Sequence, residues 1–324
     1  MSTSDLVTAV EDSLRAPSVH NTQPWRWRFR AAGVELHADR GRRLTATDPE
    51  GRDLLLSCGA ALHHLRVALA ARGVGATVAY TPDPDDADHL ATVTPTTEPP
   101  DRSAAALFGQ ITRRHTERRR MSHRPVPPEL LAELADQARH AGARLIPVAD
   151  PTTRERLTAA FRDAEARQRF VPGYTAELQM WTRRTAGTRD GIGAGSIAAP
   201  ADNGPPMRTF SDHGQLTQPR PSPGYDVDDA AELVVIVTDG DTTADRVRAG
   251  EALSAVLLHA TRLRLATTPL SQATEVSETR RAIGRALQTR RQPQILVRLG
   301  WPATTAEELP ATPRRDLRSV LLPC

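Results

Sequence analysis

The sequence predicts an α+β protein whose chain folds as two related halves. Three observations lead there. Short alternating runs such as WRWRF (25–29) read as half-buried strands, and similar runs recur on both sides of long helical stretches. Two of those helices, CGAALHHLRVALAARG (58–73) and GEALSAVLLHATRLRLA (250–266), share a design: a start rich in Gly and Ala, a Leu-rich body and an Arg-bearing end. Strand-like runs follow each of them, so the order of elements partly repeats. The halves are expected at about 1–98 and 99–324, packed as an internal pseudo-dimer.

In order along the chain, residues 4–15 carry Leu6, Val7, Val10 and Leu14 at helical spacing, with Ser4 and Asp5 placed to cap them. Trp25, Trp27 and Phe29 alternate with Arg26, Arg28 and Arg30, and GVELHAD (33–39) is the hairpin partner of that strand. A long helix follows from about 51 to 72, stopped by Gly73. VGATVAYTPD and DHLATVTPT are two further strands around an acidic turn, and TPTTEPPDRS (94–103) is a linker. Beyond it, a helix ends in RRHTERRR (113–120), a second runs over 127–141, and ARLIPVAD is a strand. Another long helix is expected over about 151–184, then the strands AELVVIVTD and QPQILVRLG on either side of the second matching helix.

One segment has no period. Residues 187–226 are dense in Gly and Pro, and a loop this long is either a lid over a site or a surface insertion. Met207, Phe210 and Tyr225 are its candidate anchors and favour the lid.

Composition removes several chemistries. All 42 basic residues are arginine, so Schiff-base and lysine-dependent phosphate chemistry are excluded. Cys58 and Cys324 give neither a disulfide framework nor a metal spacing. The acidic N-terminus does not read as a signal peptide. No apolar run approaches the roughly 18 residues a membrane span needs, so a cytoplasmic protein is expected. GIGAGS (191–196) follows no strand and fails the dinucleotide fingerprint. DPDDAD (83–88) lacks the glycine and glutamate of a calcium loop, and His63 and His64 point apart on a helix. No nucleophile elbow or zinc motif is present.

Three stretches remain. RAPSVHNTQPWRWR (15–28) gathers a hydroxyl, two amides and rigid prolines before a strand. Amides carry donor and acceptor together and suit a uracil-like ring edge, although a plain capped turn has the same composition. RRHTERRR fits a phosphate-monoester clamp, because guanidinium forks pair with phosphate oxygens bidentately. A solvated charged face and a nucleic-acid surface are its alternatives. TPRR (312–315) offers a second arginine pair.

APSVHNTQPW, RRHTERR, TTPLSQ (267–272), PQILVRLG and TPRR together resemble the nitroreductase-like flavoproteins, and more narrowly the Acg-type FMN-binding proteins, over nearly the whole chain. The resemblance implies a nitroreductase-like fold with two fused halves, FMN as cofactor, and NADH or NADPH as electron donor. It implies that Pro17, Ser18 and Asn21 contact the isoalloxazine edge, with Gln23 in support. Arg114, His115, Thr116 and Arg118 would hold ribityl and phosphate; Thr116 stands where the family more often has serine. Thr268, Pro269, Leu270 and Ser271 would flank flavin N5, and Arg314 and Arg315 would meet the phosphate. Each half lacks the motif that the other supplies, so one composite site per chain is expected. A monomer is enough to build it, and a homodimer remains open. Flavin N5 would carry hydride to a small-molecule acceptor, with no catalytic side chain, no metal, no nucleic acid and no membrane. The alternative is an FMN storage protein closed by its lid.

Overall fold

The computed structural model describes residues 3–184, 187–198, 208, 210, 214–220 and 229–323. Met207, Tyr225 and Cys324 lie outside the described residues. After α1 (Thr3–Ser13) comes a four-stranded antiparallel sheet of β1 (Trp25–Arg30), β2 (Gly33–Ala38), β3 (Gly75–Tyr80) and β4 (His89–Thr96), in the order β1-β2-β4-β3. A second sheet holds β5 (Arg144–Pro147), β6 (Glu232–Thr238), β7 (Ala266–Leu270) and β8 (Gln292–Gly300), in the order β5-β6-β8-β7. A long helix, α2 (Arg52–Ala71), joins β2 to β3; after α3 (Arg102–Ala105), α4 (Pro128–His140), α5 (Pro151–Gln168) and α6 (Tyr174–Thr182), its counterpart α7 (Thr243–Arg262) joins β6 to β7. The short α8 (Gln272–Glu275) and α9 (Ser277–Ala286) precede β8.

The protein is α+β, and its halves share strand order, connection and register. Both central strand pairs slip at the matching place, between Leu36 and His37 in β2 and between Ile236 and Val237 in β6. The hairpin forms as its alternation predicts: Trp25 and Trp27 are fully buried, while Arg26 pairs with Asp39 at 3.0 Å and Arg28 with Glu35 at 3.4 Å. Helix starts are set by side chains. Asp48 accepts from the amides of Arg52 (2.7 Å) and Leu54 (3.0 Å), and Thr242 with Asp245 forms a reciprocal capping box on α7.

The halves meet where α2 crosses α7. A Cβ on Gly59 would lie 2.0 Å from the Val247 carbonyl oxygen, and one on Gly250 would lie 2.1 Å from that of Leu56. The contact is reciprocal, and only hydrogen fits on either side. Further along, His63 Nδ1 bonds Ser254 Oγ at 2.9 Å, so the helices advance in the same direction.

Two expected helices are not there. The long helix over 151–184 is broken into α5 and α6 at Pro172-Gly173, where the proline removes an amide donor and Gly173 takes a left-handed φ of +84°. RRHTERRR is not a helix end. Past α3 and a 3₁₀ turn at Phe108–Gln110 its first residues close a turn on the Gln110 carbonyl and the rest passes beside β7, with the Glu117 amide donating to the Thr267 carbonyl at 2.9 Å. Among the described residues α2 is long and apolar enough to cross a membrane, which the sequence reading missed, and 89% of that window is buried inside the protein.

Candidate functional site

The PSVHNTQ turn is strained. His20, Asn21 and Gln23 have φ of 45°, 55° and 52°, a left-handed conformation uncommon outside glycine, to which asparagine and histidine are better suited than glutamine. Surrounding bonds hold it. Ser18 Oγ accepts from the Gln23 amide at 2.9 Å, and Ser57 Oγ on α2 accepts from the Val19 amide at 3.1 Å. Gln23 Nε2 donates to the Arg189 carbonyl at 2.8 Å, and its Oε1 accepts from the Arg315 amide at 2.8 Å. Residues from the front, the insertion and the end of the chain are tied together at this turn.

Two neighbouring cavities open beside it, and Pro17, Ser18, Thr116 and Arg118 line both. The larger spans about 1250 Å³ of empty space and the smaller about 530 Å³, solvent at their mouths included. Leu56, Leu253, Phe161 and Ile295 give the larger one apolar walls, and Thr268, Pro269, Leu270 and Ser271 form its rim.

The smaller cavity is built for an anion. Arg114, His115, Thr116, Arg118 and Arg314 line it, and among the described residues no carboxylate does. Beyond the turn closed on the Gln110 carbonyl, Arg114, His115, Thr116 and Arg118 all reach this space. Glu117 turns the other way and pairs with Arg119 at 2.7 Å. Arg114 Nε and Nη1 and Arg314 Nε are buried without a hydrogen-bond partner. Burial, then the charge of neighbouring arginines, pushes Arg114 down to about 10 and Arg314 to about 9; burial does the same to Arg118, to about 10. All three stay protonated at neutral pH, so three cations face one space. A solvated charged face does not describe this cluster, since Arg114, Glu117 and Arg119 are buried.

Twelve of the fourteen expected positions divide unevenly between these spaces, and Gln23 and Arg315 lie off both. Pro17, Ser18, Thr116 and Arg118 border both, and Thr268 to Ser271 border the larger. Asn21 lies on the smaller, arginine-lined cavity instead of a ring edge: its Nδ2 is taken by the carbonyls of Gly191 (3.0 Å) and Pro313 (3.1 Å), leaving only Oδ1 without a partner. Gln23 is fully buried behind the turn and supports it. Arg315 Nη1 donates to the Gln23 carbonyl at 3.2 Å and faces Asp39 at 3.6 Å, so this arginine clasps the turn while Arg314 faces the anion space.

Sequence reading missed His20, Asp53, Ser57 and Arg208, all on the larger cavity. His20 belongs to the motif already singled out, and its left-handed backbone turns the ring inward; burial, then Arg208 and Arg118, holds it neutral. From the insertion, Phe210 meets the His20 ring edge-on at 5.4 Å and lies under the Arg118 guanidinium at 5.4 Å. Arg208 ion-pairs with Glu275 and donates to Tyr174 Oη at 3.1 Å.

Among the described residues, the matching place in the opposite half is occupied. Matched through the Gly59/Gly250 contact and the strand register, Arg248 and Tyr80 stand where Ser57 and Ser271 stand. Arg248 lies over the Tyr80 ring at 4.4 Å, and Tyr80 Oη donates to Glu251 at 2.5 Å. Large side chains fill that place where two serines leave the other open.

No protein-family model matches the chain. Two proteins of Mycobacterium tuberculosis that bear the name "Putative NAD(P)H nitroreductase" match it almost end to end. Rv3131 is 40% identical over 324 residues, covering 97% of this chain and 90% of its own. The one called acg is 37% identical over 332 residues, covering 99% of this chain and 96% of its own. Among solved structures, the FMN-dependent nitroreductase NfnB from Mycobacterium smegmatis in complex with NADPH has a TM-score of 0.41 at 16% identity, over 67% of this chain and 96% of that one. A nitroreductase with bound FMN from Desulfitobacterium hafniense has a TM-score of 0.39 at 15% identity, over 63% and 93%. Full-length identity to the first two, on a chain with this turn, these arginines and these paired halves, places the protein in the nitroreductase-like flavoprotein family, in its Acg type.

Proposed function

We propose that the chain binds one FMN across the two cavities and works as an NAD(P)H-dependent oxidoreductase of the nitroreductase type. The observation that carries this is the convergence of Arg114, Arg118 and Arg314, unbalanced by any carboxylate among the described residues, on a space that adjoins an apolar slot. Arg118 and Arg314 give Nη donors to the carbonyls of Ser196, Thr312, Pro313 and Arg15, but none of the three meets an anion among the described residues. The orphaned Arg114 Nε and Nη1 and Arg314 Nε leave a desolvation cost that a phosphate monoester would offset. The rest of the donor set fits the same group: Thr116 adds a hydroxyl, and the walls beyond suit a flat ring.

When bound, FMN would supply two-electron chemistry by exchanging hydride at its N5 position with the nicotinamide and then with a small-molecule acceptor. The chain's own part is to hold and enclose. Arg114, Arg118 and Arg314 would grip the phosphate. Pro17 and Ser18 on one side and Thr268 to Ser271 on the other would bracket the ring, and His20 with Phe210 would keep water out. Residues 1–98 supply the turn and 99–324 the arginines, which is how we divide the chain; a single chain then completes the site.

A second reading, storage or sequestration of FMN, is favoured by one observation. Arg208 and Phe210 come from the 187–226 segment and are pinned against the cavity wall, as a lid would be. Anaerobic titration separates the two. Rapid bleaching of bound flavin by NADH or NADPH supports the enzyme, whereas bleaching by dithionite alone supports storage. Absence of any FMN binding would refute both.

A further inference from the structure

One wall of the larger cavity has no part in the reading above. Asp53, in the first turn of α2, lines the cavity at 3% exposure, and its Oδ2 has no hydrogen-bond partner. Two other carboxylates crowd it. Asp48, in the loop before α2, already accepts two backbone amides. Glu275, at the end of α8, takes Gln168 Nε2 at 2.6 Å, Ser271 Oγ at 2.8 Å and the Arg208 guanidinium. Among the described residues, Glu275 alone of these three carboxylates has an ion pair. Tyr174 on α6 completes the ring of groups through Arg208.

Among the described residues, Asp53 is therefore the carboxyl of the three that has neither an ion pair nor the backbone donors of Asp48, and it is buried beside Ser271 and Glu275. Burial, then the charges of Glu275 and Asp48, pushes it well above the ordinary carboxylate range. The Ser271 hydroxyl, which works the other way, does not overcome them. A carboxyl whose surroundings favour the protonated form, beside a ligand space, can act as an acid.

We propose that Asp53 is the proton donor of this site, delivering the proton that accompanies hydride when an acceptor in the larger cavity is reduced. The proposal rests on the flavin reading above. A nitroaromatic acceptor shows the balance: RNO2 takes up one hydride, ultimately from NAD(P)H, and one proton, an N–O bond breaks, and RNO and water leave. Asp53 gives up the carboxyl proton and becomes a carboxylate. Solvent returns a proton to it when product departs, through the Ser271 hydroxyl, which interacts with both Asp53 and Glu275. Arg208 offsets the Glu275 charge in the meantime.

The test uses the full chain. In the protein without flavin, an infrared pH titration should show a protonated carboxyl band that persists above the ordinary carboxylate range and that Asp53→Asn removes. With FMN bound and pre-reduced, Asp53→Asn should slow nitroaromatic reduction ~100-fold or more, while FMN affinity changes by less than about threefold. The wild-type rate should fall as pH rises through the Asp53 titration, and the variant should lose that limb. Should Asp53→Asn not fold, Glu275→Gln removes a neighbouring charge and should move the limb to lower pH. A band that survives Asp53→Asn, an unchanged rate, or a limb unmoved by Glu275→Gln would overturn the assignment. Failure of the wild type to bind FMN sinks the flavin reading instead, and the infrared band separates that failure from this one.

Discussion

Gly59 on α2 and Gly250 on α7 meet backbone to backbone, so closely that a Cβ built on either lies 2.9 Å from the Cα of the other. That approach brings Leu56 and Ser57 on one helix and Leu253 on the other to the same cavity. Gly59→Ala or Gly250→Ala forces the helices apart against carbonyl oxygens that cannot yield. Each is expected to cost roughly 1–3 kcal/mol of stability and to weaken FMN binding, because the cavity floor separates. Urea unfolding and an FMN titration of each variant check this; a fully stable Gly250→Ala would mean the crossing is looser than described.

The arginines near the C-terminus should behave differently from each other. Arg314→Ala and Arg114→Ala each remove a charge-assisted contact contributing roughly 1.5–3 kcal/mol, about ten- to a hundred-fold in FMN affinity. Arg315→Ala should loosen the turn it clasps and lower the melting temperature, with a smaller effect on affinity. Inorganic phosphate should raise the melting temperature of the flavin-free protein by mass action, and less so in Arg314→Ala.

The pH dependence of stability has a readable sign. Burial holds His20, His63 and His64 neutral in the fold, His63 down to about 3. The unfolded imidazole takes a proton below its ordinary value of 6.5. The stability these residues give is present above that value and lost as pH falls below it. For His63 the loss between pH 7 and pH 5 is about 2 kcal/mol. Asp48 and Asp53, raised by burial, work in the opposite sense over the same window. The histidine contribution is therefore read from the difference between wild type and His63→Gln, which should narrow on acidification. A constant difference would contradict it.

Phe210→Ala tests the enclosure. It removes the ring that meets His20 and lies under Arg118, and should speed bleaching of bound flavin by NADPH by about tenfold or more, or ~1.4 kcal/mol of barrier. Stopped-flow traces at 450 nm read this. Equal rates would argue that the segment does not control access.

Much of this was legible in the sequence because it depends on period. WRWRF and GVELHAD alternate every two residues and pair as written, and the two long helices carry their apolar faces openly. The PSVHNTQ and R-x-T-x-R segments could be singled out because each concentrates residue types that a core has no use for. What was not legible depends on distant parts of the chain. RRHTERRR looks like a helix end until β7 supplies backbone partners for Glu117. Asp53 reads as an ordinary acid in a first helical turn, and only the arrival of Glu275, more than two hundred residues later, changes its character. Arg314 and Arg315 are neighbours with one chemistry, and nothing local says that one faces the cavity and the other the turn.

One place in the molecule takes the cofactor on this account, and the matching place is filled by Arg248 against Tyr80. Equilibrium binding of FMN to the purified chain, counted per polypeptide and repeated with Arg314→Ala, tests that most directly. The account predicts one FMN per chain, with affinity falling at least about tenfold in the variant. Two FMN per chain, none, or an affinity indifferent to Arg314 would contradict it.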